Sequence, residues 1–409
     1  MKNNVHTNRL VCIAGKNRIA VDACNFLLRN GFDNESLVVC CNETDQGINN
    51  WQPSLRFFCH QNKLRLVELE DLYEIEDLVF FSLEFDRIIR PSFFKSSALF
   101  NIHFSKLPAY KGMFTSVFPI LLRERESGVT LHKIDRGIDT GEIIAQRSFL
   151  IPKSSRAIDL YYLYLIQAKQ LFEDNFFMLL SGEFSSSPQS PTGSSYFGKN
   201  SIRLNNPVID FDAAAYQVEA WIRALNFRPY QLPLFESTRI SHAKILNISS
   251  SHKPGKVEQH SKKDFFDVTT IDYVIRLFPD QMNSIIESAK KDDVDRLKLY
   301  YAMNYPMDDW EEHGWTPLIV AAYHNSLNAL KYLISVGANV NQQNFNGTTV
   351  LMYAYTAGVK SGNFECFDLL IESGANPEMK DYSGCSLMDY VEKNDNAEIA
   401  DIINRKLFS

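Results

Sequence analysis

The sequence predicts an α/β chain in which a doubly wound, mostly parallel sheet is followed by a small β-rich region and then by an all-α repeat module. Three observations carry this. The opening alternates strand-like apolar runs with a helical one. Two further apolar runs, Ala98 to Phe104 and Val129 to Ile134, are too short for helices and run into turn residues. From about Met282 a motif recurs at a nearly constant spacing.

Length and composition set the bounds. At 409 residues the chain exceeds one ordinary core. The expected division is 1–184, then 185–281 completing the front module, then 282–409. A hydrophobic content of 45% with 22% charged residues describes a globular protein. A net charge of −7 gives no footprint for nucleic acid. The seven cysteines form no CxxC pair and no His/Cys cluster with metal-ligand spacing, so no metal is expected. Met1 to Asn8 is polar, without an apolar signal core, and no run is long enough to span a membrane. A reducing cytoplasm is the expected location.

Arg9 to Gly15 reads as a strand, Ile19 to Asn30 as a helix ended before Gly31, and Ser36 to Cys41 as a second strand. Gly15 stands without a GxGxxG pattern, so no dinucleotide site is assigned. Asp77 to Ser82 is the next strand, and the loop Ser82-Leu83-Glu84-Phe85-Asp86 follows it.

In the run from Ala98 to Phe104, Asn101 and His103 are two apart and so share a strand face. Val129 to Ile134 runs into Asp135-Arg136-Gly137-Ile138-Asp139-Thr140-Gly141, a tight loop with two carboxylates. If the two strands are neighbours, Asp139 reaches His103. A carboxylate beside an imidazole fixes its tautomer and raises its basicity. An amide N–H beside both can stabilise charge on a tetrahedral oxygen. The trio suits acyl transfer to an amine.

Pro152 and Ser154 or Ser155 can start a long helix through Leu180, closed by Gly182. Glu183 to Asn200, rich in Ser, Pro and Gly, reads as a loop or hinge. Asp212 to Asn226 is helical and leads into Phe227-Arg228-Pro229-Tyr230. Arg239 to Ser249, Pro254 to Val257 and Asp267 to Leu277 read as short strands.

Gly-Trp-Thr-Pro-Leu-Ile-Val-Ala-Ala starts at Gly314, Gly-Thr-Thr-Val-Leu-Met-Tyr-Ala at Gly347 and Gly-Cys-Ser-Leu-Met-Asp-Tyr at Gly384, with four extra residues near Ala357 to Asn363. The pattern resembles ankyrin repeats, with Ile285 to Tyr301 as a capping helical unit.

Asn101-x-His103-x-Ser105-x-x-Pro108-x-Tyr110-x-Gly112, followed by Gly128-Val129-Thr130 and Asp135-x-Gly137-x-Asp139-Thr140-Gly141, closely resembles the formyltransferases that use 10-formyltetrahydrofolate. The resemblance runs from the start of the chain to roughly Phe278. It implies a Rossmann-like core with Asn101, His103 and Asp139 as the catalytic trio. It implies folate contacts at Ser82, Leu83, Phe85, Ile138 and Asp139, although Glu84 stands where the family has glycine and Phe85 where it has tyrosine. The Trp221 to Tyr230 segment resembles the border of the sugar-nucleotide pocket in the branch acting on amino sugars, which implies Tyr110, Arg223 and Tyr230 as substrate contacts, with Arg228 as an alternative. The implied reaction is N-formylation of a dTDP-linked 3-amino or 4-amino dideoxyhexose for surface polysaccharide such as O-antigen, by a homodimer. The alternatives are a methionyl-tRNA formyltransferase-like enzyme, or a scaffold in which the repeats are the functional part.

The last expectation concerns the repeats. Trp310 falls in the hairpin region before Gly314, is exposed by position, and is large enough to stack on a nucleobase. Trp315 can serve instead. Together they mark a candidate second nucleotide site, opposed by Asp308, Asp309, Glu311 and Glu312, which repel a pyrophosphate.

Overall fold

The computed structural model describes residues 9–202, 204, 207–228, 230–261, 264–394, 400, 401, 403, 405 and 406. The polar opening at Met1 to Asn8 and Pro229 lie outside them. The chain divides into two compact units: residues 1–48 with 54–279, and residues 49–53 with 280–409.

In the first unit, β1 (Leu10–Gly15), α1 (Asn17–Arg29), β2 (Leu37–Cys41), α2 (Leu55–Asn62), β3 (Arg65–Leu66), β4 (Leu78–Leu83) and β5 (Leu99–His103) build the parallel part of a sheet. A two-residue strand β6 (Lys111–Gly112) and a short helix α3 (Phe118–Leu121) follow. Then β7 (Glu126–Lys133) and β8 (Ile143–Leu150) add to the same sheet as antiparallel strands. The order is β3-β2-β1-β4-β5-β7-β8. The expected neighbourhood of the two site-bearing strands is thus met by direct β5–β7 pairing.

Each sheet face is covered by what the alternation of its strands demands. On one face Phe81 meets Phe100 beside it and Phe172 and Phe176 of α4 (Ala157–Ser181), with Phe81 5.1 Å from Phe172 between ring centres. Burying each such ring is worth about 1.5–3 kcal/mol. Gly182 takes the left-handed conformation that closes α4. On the other face Cys12, Val38, Leu78, Phe80, Phe94 and Leu99 form a second apolar layer, against which Phe85 and Ile134 pack.

The segment after α4 contains β9 (Tyr196–Phe197), which pairs with β6, so the stretch read as a loop or hinge is in part an extended strand. Helix α5 (Ala215–Ala224) packs on a five-stranded antiparallel sheet of β10 (Leu234–Phe235), β11 (Thr238–Ser249), β12 (Val257–Ser261), β13 (Phe265–Thr269) and β14 (Tyr273–Pro279). The run from Asp267 to Leu277 splits into β13 and β14. Asp272 makes the break: its carboxylate accepts from the Tyr273 N–H and the Thr270 hydroxyl and turns the chain back.

The second unit is a stack of helix pairs: α6 (Met282–Lys290) with α7 (Val294–Ala302), α8 (Pro317–Tyr323) with α9 (Leu327–Ser335), and α10 (Val350–Ser361) with α11 (Glu365–Glu372), followed by α12 (Leu387–Lys393). Thr316 and Thr349 cap α8 and α10 by accepting from Ile319 N–H and Met352 N–H. The four extra residues lengthen α10, which has 12 residues against seven in α8. No helix among the described residues is long and apolar enough to cross a membrane.

Candidate active site

The site lies at the C-terminal edge of the parallel strands. Ser82 of β4 pairs with Asn101 of β5, and Asn101 pairs with His132 of β7, so three polar side chains stand on one rung and one face. His103 is one step further along the same face. Asp139 comes over them from the loop after β7.

The structure brings Asn101, His103 and Asp139 together. His103 is 8% exposed; its Nε2 donates to the Tyr110 carbonyl at 2.8 Å and its Nδ1 lies 3.4 Å from Asp139 Oδ2. A carbonyl only accepts, so Nε2 carries the proton and the free lone pair is on Nδ1. Asn101 Nδ2 is 3.0 Å from His132 Nε2 and 3.3 Å from Asp139 Oδ1. His132 Nδ1 donates to the Lys133 carbonyl at 2.7 Å, which leaves its Nε2 as an acceptor for the Asn101 amide. The orientation of that amide is therefore fixed. Both Asn101 amide protons are directed at partners, one at His132 and one at Asp139.

Electrostatics follow from the geometry. Burial pushes the His103 pKa below that of an ordinary imidazole, His132 adds to this, and Asp139 and the Tyr110 carbonyl oppose it. For Asp139, burial alone acts upward, yet His103, His132 and the Gly112 N–H together pull its pKa down to about 2. The carboxylate is ionised at neutral pH.

Two backbone points in the site are strained. Asp139 has φ 54° and Tyr110 has φ 61°, the left-handed region that costs a non-glycine residue roughly 1 kcal/mol or more. Close approach enforces the neighbouring glycine: a Cβ on Gly141 would sit 1.8 Å from the Lys133 carbonyl oxygen. A cleft of about 460 Å³ opens beside the Asp139 loop, lined by Lys111, Lys133, Glu142, Gln189 and Ser194 among others.

The remaining expected residues are placed as follows. Ser82 is on the rung. The Leu83 side chain is enclosed and its carbonyl accepts from Lys16 N–H. Phe85 packs on Phe80, and Ile138 is exposed beside Asp139. Glu84 has φ 56°, which explains why a glycine suits this position. Its carboxylate accepts from Tyr161 OH and Asn17 Nδ2, and burial holds its pKa up.

The Tyr110 side chain does not face the trio: its hydroxyl donates to Glu124 at 2.6 Å, and the residue acts through its carbonyl. Arg223 is tied to Glu219 at 2.6 Å and to the Ser155 carbonyl at 2.8 Å, so it braces α5 rather than projecting freely. Tyr230 is 64% exposed, its ring 5.4 Å from Phe227. Trp310 is half-buried, not exposed: its Nε1 donates to the Gln343 carbonyl and its ring meets Phe345, because the next hairpin stacks over it. Trp315 packs against Tyr323 and Tyr353.

Comparison with known proteins places the two parts of the chain in known families. A family model described as formyl transferase matches residues 59–172, and one described as ankyrin repeats, in three copies, matches 285–381. Among solved structures, WlaRD, a sugar 3N-formyltransferase crystallised in the presence of dTDP and 5-N-formyl-THF, is 41% identical. The match covers 67% of this chain and 98% of that one, with a TM-score of 0.61. The chain belongs to the sugar N-formyltransferases. The N-formyltransferase from Helicobacter canadensis, solved in complex with folinic acid and dTDP-3-aminofucose, is 40% identical over 66% of this chain and all of that one, also with a TM-score of 0.61. Methionyl-tRNA formyltransferases from Coxiella burnetii and Clostridium novyi are 26% and 29% identical, over 40% and 41% of this chain. The chain spans about half the length of these curated relatives.

Three residues of this candidate site had no assignment from sequence. His132 had a signal, since it stands in Gly128-Val129-Thr130-Leu131-His132, but its partner depends on the β5–β7 register. Gln189 and Ser195 lie in the Ser- and Pro-rich stretch, where nothing in the residue pattern marks them.

Proposed function

We propose that this chain transfers a formyl group from 10-formyltetrahydrofolate to the amine of a dTDP-linked amino-dideoxyhexose, with the 3-amino sugar as the preferred acceptor. The observation that carries this reading is the extent of the likeness to WlaRD. It covers nearly all of that chain and so continues beyond the formyl transferase match that ends at residue 172. The helix α5 and the β10–β14 sheet belong to the reading, with residues 185–281 completing the catalytic module. The product is an N-formylated sugar nucleotide for surface polysaccharide.

The residues fit a reduced folate. Ile138 presents an exposed apolar side chain beside Asp139, Phe85 lies near the end of β4, and the Ser82 hydroxyl is on the rung. The folate supplies the formyl group; the chain supplies positioning and proton transfer. His103 Nδ1 holds the free lone pair and takes the proton released as the sugar amine attacks. The imidazolium then has an acceptor at each nitrogen, Tyr110 O and Asp139 Oδ2, and it returns the proton to the departing folate nitrogen as the formyl C–N bond breaks and tetrahydrofolate leaves. The Asn101 proton held by Asp139 at 3.3 Å is in the longer of its two contacts, and it turns to the formyl oxygen where negative charge develops. The enzyme acts as a homodimer through residues 1–281.

The test is a purified full-length chain incubated with 10-formyltetrahydrofolate and, in parallel, dTDP-3-aminofucose, a dTDP-4-amino sugar and methionyl-tRNA. Mass spectrometry should find formylation of the 3-amino sugar. Formylation of methionyl-tRNA alone would replace this reading. Sedimentation at micromolar concentration should give a dimer.

A further inference from the structure

The segment from Phe184 to Phe197 touches both strained points of the site. Ser187 exchanges main-chain hydrogen bonds with Ile143 at 2.8 and 2.9 Å, anchoring the segment along β8. From there Gln189 Nε2 donates both of its protons, one to the Asp139 carbonyl and one to the Gly141 carbonyl, each at 2.8 Å. Six residues later the Ser195 hydroxyl accepts the Tyr110 N–H at 2.8 Å, and the Ser195 N–H reaches the Pro108 carbonyl. β9 then pairs with β6, and Phe197 stacks on Phe118 with ring centres 3.6 Å apart. A Cβ on Gly112 would meet the Phe197 carbonyl oxygen at 2.4 Å, so the two strands pass as closely as glycine permits.

The targets of these contacts are specific. Gln189 binds the main chain of the residue whose carboxylate faces His103. Ser195 binds the main chain of the residue whose carbonyl receives His103 Nε2. Asp139 and Tyr110 are both in the left-handed conformation, which persists only where surroundings over-determine it.

We propose that this segment is a clamp that sets the catalytic geometry, with Gln189 as the positioning residue for Asp139 and Ser195 as the positioning residue for Tyr110. Each acts through the main chain of another residue. The proposal rests on the formyl-transfer reading for its kinetic consequence, but its structural content does not. Without the Gln189 donors the 139–141 loop relaxes out of its left-handed turn, and the carboxylate moves away from His103. The titratable groups facing His103 are Asp139 from that loop and His132 from β7. Losing the first leaves burial and His132 to act unopposed by a charge, so the His103 pKa falls.

The experiment compares Gln189→Ala, Gln189→Glu and Ser195→Ala in the full chain. Glutamate fills nearly the same volume but cannot donate to two carbonyls when ionised, so a space-filling role survives that change and a clamping role does not. Expected results are a drop in kcat of about tenfold to a hundredfold for both Gln189 variants, with KM within about twofold. The acid limb of the kcat profile moves to lower pH. Ser195→Ala gives a smaller loss in kcat, with KM likewise kept. Independently of any substrate, NMR titration of 15N-histidine protein reads the His103 pKa directly, and a His103→Gln spectrum identifies its signals among the nine histidines. A lower His103 pKa in Gln189→Ala, which adds no charge, supports the clamp. A wild-type pKa in both Gln189 variants overturns it, as does wild-type kcat in Gln189→Glu. If the wild-type protein formylates none of the amino sugars, the substrate reading fails while the titration still decides the clamp.

Discussion

Asn101 and His132 face each other across the β5–β7 pair, amide nitrogen to ring nitrogen at 3.0 Å, and this contact decides how the amide is turned. In the neutral ring, His132 donates through Nδ1 to its neighbour's carbonyl and accepts at Nε2. Replacing it with phenylalanine leaves a donor of Asn101 without a partner in an enclosed site, a cost of about 1–3 kcal/mol. His132→Phe should lower the melting temperature and reduce kcat by about tenfold or more, whereas His132→Gln, which retains an acceptor, should recover part of both. Equal losses in the two variants would show that the acceptor is irrelevant.

His103→Ala and Asn101→Ala should each keep the fold and lose on the order of 100-fold or more in formyl transfer, the usual consequence of removing a positioned base or a charge-stabilising donor. Single-turnover kinetics checks this. Near-normal turnover in either variant removes that residue from the mechanism.

Asp139 couples the site to acid stability. Its folded pKa of about 2 lies below the usual 3.8, so its ionised form stabilises the fold above about pH 4. That contribution, about 2 kcal/mol, fades as pH falls from about 4 to about 2. Urea unfolding of wild type against Asp139→Asn should show an advantage for wild type at pH 5 that shrinks by roughly that amount toward pH 2. A constant difference across this window contradicts the assignment.

Glu84 combines a strained backbone with two side-chain partners. Glu84→Ala keeps the strain and loses Tyr161 and Asn17; Glu84→Gly loses the same partners but relaxes the backbone. Glycine should therefore be more stable than alanine here by about 1 kcal/mol. Chemical denaturation of the pair measures it, and alanine matching glycine would refute the strain.

In the repeats, Gly314 and Gly384 share positive φ values, 86° and 81°. A Cβ on Gly314 would lie 2.4 Å from the Phe345 ring, while at Gly384 nothing lies within 4 Å. Gly314→Ala should cost about 1–3 kcal/mol more than Gly384→Ala. Unfolding followed by tryptophan fluorescence, to which Trp310 and Trp315 contribute, would reveal it.

What could be read from sequence divides along physical lines. Local signals carried far: period-two spacing put Asn101 and His103 on one face, short apolar runs marked β1, β2, β4 and β5, and the glycine spacing marked the repeats. Contacts set by tertiary register did not. His132 acquires its role only because β7 runs antiparallel to β5 at one register. Tyr110 contributes a carbonyl, which a side-chain reading overlooks. Arg223 has the charge for a phosphate, but an acid one helical turn earlier, Glu219, engages it. Trp310 is covered by a later hairpin, a fact held 33 residues away.

The clamp also bears on when the site comes into being. Gln189 is 50 residues from Asp139, and Ser195 is 85 from Tyr110. Asn101, His103 and Asp139 are all synthesised before either partner. A nascent chain ending with α4 holds all three reactive side chains and the whole stretch recognised as a formyl transferase, yet neither of the contacts that shape them. The reactive geometry of the proposed site thus waits on a segment that follows α4 in the chain, and closing that long loop carries its own ordering cost.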